Sequence, residues 1–199
     1  MSKQLIISIG REFGSGGHEI AQTLADKFGL ELYDRNIMFE IAKKKGVDPA
    51  ALERYDEVPR SRLFSRSVNG YSSSPAEAIA NMQFDFLKEK AKNGESFVVV
   101  GRCSEVVLQG NPNLITFFIL ADPAAKAKRT MEAGNISEKE AYELMQRKDR
   151  YRKTYHNYYC GCKWGDSRDY DLSVNSSRLG IPATAQMLAE YIEKRLGKH

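Results

Sequence analysis

A chain of 199 residues that is 42% hydrophobic can bury one sizeable core, so its length favours a single domain. The 30 Lys+Arg against 26 Asp+Glu give a net charge of +4, which suits anionic small molecules and falls short of the basic stripe of a nucleic-acid-binding protein. Three cysteines, two of them the close pair Cys160 and Cys162, do not make a disulfide framework. The one apolar run near the start, Leu5-Ile6-Ile7-Ser8-Ile9, is far shorter than the ~18 residues a membrane span needs, and no signal-peptide cleavage site follows it. A cytoplasmic protein with neither a membrane nor a nucleic acid as partner is expected.

In chain order, that first run is β-branched and closed by Gly10, the pattern of a buried parallel strand. The cluster Gly14-Ser15-Gly16-Gly17 comes next. Ile20, Ala21, Leu24, Ala25 and Phe28 then recur at three- and four-residue steps, which predicts a helix ending at Gly29. Residues 30–33, 97–100, 115–120 and 172–174 supply four more short strands. Strands alternating with helical stretches predict an α/β fold, a doubly wound parallel five-stranded sheet. About sixty residues separate the second and third strands, far more than the ~12 a crossover needs, so an inserted helical subdomain is expected over residues 36–95. Its middle, residues 61–74, carries six serines with Arg60, Arg62 and Arg66 and reads as a mobile basic loop. Residues 136–159 are helical in pattern and dense in charge, and residues 184–196 form an amphipathic closing helix.

A glycine turn between a buried strand and a helix lets backbone approach a phosphate, aims N–H groups at it and adds the positive end of the helix dipole. Gly14, Ser15, Gly16, Gly17 and His18 are therefore candidate phosphate-binding residues, a structural turn being the plain alternative. The Walker pattern G-x-x-x-x-G-K-[ST] is not met: Gly17 stands in the place of the Lys and His18 in that of the Ser/Thr. Arg11 is the nearest local source of the missing charge, with cations of the later charged helix as a second source. A dinucleotide site is disfavoured, although Gly14-x-Gly16 opens a helix and Asp34 lies twenty residues beyond Gly14. Glu19 occupies the third glycine position, and the insertion interrupts the sheet where a Rossmann unit would continue.

Read together, Ile7-Ser8-Ile9-Gly10-Arg11-Glu12-Phe13-Gly14-Ser15-Gly16-Gly17, Tyr33-Asp34-Arg35, Val99-Val100-Gly101-Arg102, Asp149-x-x-Arg152, Trp164-Gly165-Asp166 and Tyr170-Asp171-Leu172 resemble the cytidylate kinase-like family, over nearly the whole chain. The resemblance implies a P-loop nucleoside monophosphate kinase that uses ATP and Mg²⁺ to phosphorylate a small-molecule nucleotide, CMP or dCMP. In this picture the glycine loop holds ATP phosphates, residues 36–95 close over the monophosphate, and a lid over about residues 136–168 completes the site. Arg35 then holds the acceptor phosphate, Arg102 contacts the monophosphate nucleotide, Asp149 touches sugar hydroxyls and Arg152 the transferring phosphate.

Phosphoryl transfer needs charge neutralisation and in-line positioning more than covalent help. The run Arg147-Lys148-Asp149-Arg150-Tyr151-Arg152-Lys153, five cations to one acid, suits a lid closing on a triphosphate, although charge runs are usually solvated faces. The family's lid commonly reads Arg-Asp-x-x-Asp-x-x-Arg, whereas Met145 and Gln146 occupy its first two places here, so either Arg147 or Arg150 compensates. Asp34 is a carboxylate at a strand end, suited to the shell of a Mg²⁺ ion or to an ordinary turn. Tyr155, His156, Tyr158, Tyr159 and Trp164 either stack a base or pack the lid on the core. The Cys160-x-Cys162 pair lacks a second ligand pair, and no metal-binding residues are assigned. Two rivals remain: a non-catalytic nucleotide sensor that lost the loop Lys, and a kinase for another small acceptor.

Overall fold

The buried run near the start of the chain is the central strand β1 (Ile6–Arg11), with every residue buried. The computed structural model describes residues 4–34, 36–45, 67–68, 71–72 and 75–197. After β1 come α1 (Gly17–Phe28), β2 (Glu31–Tyr33), α2 (Ile37–Lys45), the two-residue strands β3 (Ser67–Val68) and β4 (Tyr71–Ser72), and α3 (Pro75–Lys92). Then follow β5 (Phe97–Val100), α4 (Ser104–Val107), β6 (Leu114–Leu120), α5 (Pro123–Gly134), α6 (Glu138–Cys160), a 3₁₀ turn, β7 (Leu172–Asn175) and α7 (Ser176–Arg195).

Five strands form one sheet in the order β2-β5-β1-β6-β7, and all four pairings are parallel. This is the predicted α/β fold. Alternate residues of each strand feed two cores, as the period-2 geometry requires. Ile7, Ile9, Val98 and Val100 pack on one face with Ile20 and Leu24 of α1 and Leu188 and Ile192 of α7. Ile6, Phe97 and Val99 pack on the other with Met38 and Ile41 of α2 and Ile79, Phe86 and Leu87 of α3. Both faces being covered explains why these strands read as continuous apolar runs.

The element ends follow local chemistry. Gly29 closes α1 in the left-handed conformation, its N–H bonding back to Ala25 and Asp26 carbonyls. Ser137 and Glu140 form a reciprocal capping box that starts α6. Helix α7 begins at Ser176, earlier than the sequence pattern indicates, because non-helical Gly180 and then Pro182 interrupt its periodicity. Between β2 and β5 the described residues include α2, α3 and the β3/β4 hairpin. Most of the expected basic loop at residues 61–74, and Arg35, lie outside the described residues. Among the described residues no helix is long and apolar enough to cross a membrane.

Candidate active site

Parallel α/β sheets bind ligands in the crevice beyond the carboxyl ends of their strands. Here that crevice is a cavity of about 580 Å³, bordered by Arg11, the glycine loop, the first turn of α1, Asp34, Asn36 and Arg152 of α6. The loop turns on Gly14 and Gly16, with φ of 75° and 79°. Any side chain at Gly16 would also run into Ile181 of α7. Neighbouring helices grip the loop by its carbonyls: Arg129 Nε of α5 donates to the Gly14 oxygen at 2.7 Å and Ser176 Oγ of α7 to the Ser15 oxygen at 2.6 Å. Ser15 Oγ itself donates to the Glu12 oxygen at 2.8 Å. Gly16, Gly17 and His18 border the cavity, so the first-turn N–H groups of α1, which have no acceptor within the helix, lie at its wall.

Gly17 occupies the place of the Walker Lys. A Cβ there would stand 2.6 Å from Arg11 Cβ and 3.2 Å from Arg11 Cγ. The Arg11 stem therefore fills the space from which a lysine would grow, and its guanidinium reaches to 3.9 Å from Asp34 Oδ1. Arg11 is the last residue of β1 and its side chain is only 10% exposed, so it is a buried wall of the site and not a solvated loop residue. Asp34 Oδ2 lies 2.8 Å from His18 Nδ1, while its Oδ1 is buried and makes no hydrogen bond. Arg102, 2% exposed, donates from Nη2 to the Asp34 carbonyl oxygen at 3.2 Å. It braces Asp34 from behind and does not border the main cavity. Its φ of 61°, which costs a non-glycine residue about 1–2 kcal/mol, turns it back under the crevice.

Two residues of α6 reach the loop from the other side. Asp149 Oδ1 accepts the Phe13 N–H at 2.7 Å, and Arg152 lies 5.6 Å above the Phe13 ring with Nη1 3.4 Å from the Arg11 carbonyl oxygen. Burial raises the pKa of Asp149 above the usual carboxylate value, opposed by the Phe13 N–H and by the charge of Lys126. Lys126, itself buried, sits 2.9 Å from Glu12 Oε2 and 3.6 Å from Asp149 Oδ2. One Asp149 oxygen is thus engaged by backbone, and its link to the loop is direct.

The structure brings Arg11, Asp34, His18, residues 14–17, Asp149 and Arg152 together. It leaves Arg147 exposed and away from the cavity, because its helical position points outward from the Asp149/Arg152 face. Of the aromatic rings, Trp164 meets Phe118 edge-on and Tyr159 meets Phe84 and Tyr155, while Tyr158, edge-on to Tyr159, stays exposed. Sequence reading missed Glu12, Lys126 and Arg129. Their signals were slight: an acid inside the loop motif, and two cations three residues apart on a helix opened by Asp122-Pro123.

The model of the cytidylate kinase-like family matches residues 6–178. An uncharacterized protein from Eubacterium ventriosum ATCC 27560 is 39% identical, with 96% of this chain and 99% of that chain covered and a TM-score of 0.77. The shikimate kinase of Acinetobacter baumannii, solved in complex with shikimate, has a TM-score of 0.51 at 13% identity, with 97% of this chain and 95% of that chain covered. The shikimate kinase of Bacteroides thetaiotaomicron has a TM-score of 0.55 at 14% identity, with 95% and 98% covered. These two share the fold with this chain. No curated protein matches it. The family match takes in the glycine loop, Asp34, the Asp149/Arg152 face of α6 and β7, and the chain belongs to the cytidylate kinase-like family.

Proposed function

We propose that the protein transfers the terminal phosphoryl group of ATP to a nucleoside monophosphate, CMP or dCMP, giving ADP and the diphosphate. The observation that supports this reading is the packing of the Arg11 stem against Gly17, with its guanidinium 3.9 Å from Asp34 at the cavity; in this reading that guanidinium takes the part of the lysine of the usual loop. A permanently charged, planar donor suits phosphate oxygens as well as an ammonium does.

In this reading the first-turn N–H groups of α1 hold the ATP phosphates and Arg11 neutralises charge on them. Arg152 adds a second cation from α6, as the transition state of phosphoryl transfer demands. Asp34 fits the shell of a magnesium ion, because it borders the cavity and its Oδ1 makes no hydrogen bond. Magnesium bound with ATP supplies charge neutralisation across the phosphates. Arg102 holds the Asp34 backbone, and Asp149 with Lys126 sets the distance between α6 and the loop. Arg35 remains the proposed holder of the acceptor phosphate.

The test measures ADP release by the purified protein with ATP and Mg²⁺ across CMP, dCMP, UMP, AMP, GMP and hydroxyl acceptors that are not nucleotides. Fastest turnover with CMP or dCMP is expected. Turnover confined to another acceptor class would overturn the nucleotide reading, and ATP binding with no transfer to any acceptor would make the protein a sensor.

A further inference from the structure

The end of α6 carries chemistry that phosphoryl transfer does not use. His156 and Cys160 are one helical turn apart on the same face, and Gly161, with φ of 67°, turns the chain so that Cys162 returns beside them. One ligand atom from each of the three lies within 4.8 Å of the other two. No disulfide engages any of the three cysteines. His156 is 5% exposed, and one of its ring nitrogens, Nε2, is 2.6 Å from Glu105 Oε1. Glu105 is similarly buried and also accepts from Tyr170 Oη at 3.4 Å. The other ring nitrogen, Nδ1, is buried and faces the Cys160 thiol. A carboxylate behind one nitrogen and thiols around the other is the arrangement that orients a metal-binding histidine. Cys103, held at φ 55° before α4, packs in the same apolar cluster as Tyr155 and Cys160.

We propose that His156, Cys160 and Cys162 form a binding site for a zinc-class divalent metal, with Glu105 orienting His156 and Cys103 as the further thiol beside Cys160. Imidazole and thiolate are the donors such ions prefer. The sequence offered Cys160 and Cys162 without a second pair; the fold supplies His156 from one helical turn away. Binding would release a proton from each coordinating thiol, because the thiolate is the form that ligates the metal. A bound ion would join the end of α6 to the turn that follows it, next to the β5–α4 connection.

The full chain, reduced with a phosphine and stripped with chelator under anaerobic conditions, is titrated with Co²⁺ and then Zn²⁺. A single equivalent of Co²⁺ should give tetrahedral visible bands with thiolate charge transfer, both bleached by an equivalent of Zn²⁺. Cys162→Ser, at a half-buried position, should abolish the charge transfer from one ligand and weaken binding with unchanged far-UV dichroism. Glu105→Gln should weaken it by about 10- to 100-fold, the effect of losing a partner behind a ligand. Absence of tetrahedral bands in the wild type, equal affinity in Cys162→Ser, or isolation of a disulfide among the three cysteines that persists under the reductant would overturn the proposal. Should Cys162→Ser fail to fold, the wild-type cobalt spectrum decides alone.

Discussion

At Arg11 and Gly17 two side-chain positions compete for one volume, and each residue's identity depends on the other's. Arg11→Met keeps the stem that packs against Gly17 and removes the guanidinium. Turnover should fall by about 10²- to 10³-fold, the scale of losing one preorganised charge stabiliser, with melting temperature little changed. Steady-state kinetics beside a thermal melt read both quantities, and unchanged turnover would deny Arg11 its role. Gly17→Ala probes the packing directly, because its Cβ would meet Arg11 Cβ at 2.6 Å, and atoms so near the backbone give way only with main-chain shifts. Overpacking of this kind costs about 1–3 kcal/mol. Arg11→Ala should not relieve it, since the Cβ remains, whereas Arg11→Gly should. Urea denaturation of the single and double variants would show coupling only where Gly17→Ala is combined with Arg11→Gly.

Helix α6 is tied to the loop through two residues on one of its faces. Asp149→Ala would leave the Phe13 N–H without its acceptor and Lys126 with Glu12 in place of two acids, a loss of about 1–3 kcal/mol for a part-buried donor. Asp149→Asn keeps an oxygen for Phe13 and should cost less; equal losses in the two variants would mean that the carboxylate charge, not the hydrogen bond, holds α6 in place. Much of this element was legible in the sequence. The spacing of Asp149 and Arg152 put them on one face, and the strand, glycine loop and helix stop at Gly29 follow from backbone rules acting within a few residues. What was not legible is what the loop leans on. Arg129 meets Gly14 across 115 residues and Ser176 meets Ser15 across 161, and helical periodicity tells which side is apolar without naming the neighbour. For the same reason the burial of Arg11 at a strand end was hidden behind its charge.

Across the whole molecule, ligand binding should act on two different stabilities at once. Any ligand that binds only the folded state stabilises the protein by mass action, about 2.7 kcal/mol at a hundredfold excess over Kd, and slows every amide that exchanges by global unfolding. The central strands β1, β5 and β6, buried on both faces, belong to that class. Closure of α6 on a bound nucleotide predicts something further. Amides at residues 12–18 and 148–153 should exchange through smaller local openings, because the loop and this stretch of α6 are joined by a few polar contacts. Saturating ATP should slow these segments, and adding CMP should slow them again, while the last turns of α7 on the far side report only the global term. Hydrogen exchange read peptide by peptide separates the two contributions. Slowing that is uniform along the chain would mean that nucleotide binds without closing α6. Slowing of the loop alone would confine the phosphate site to residues 14–17 and take Arg152 out of the transfer step.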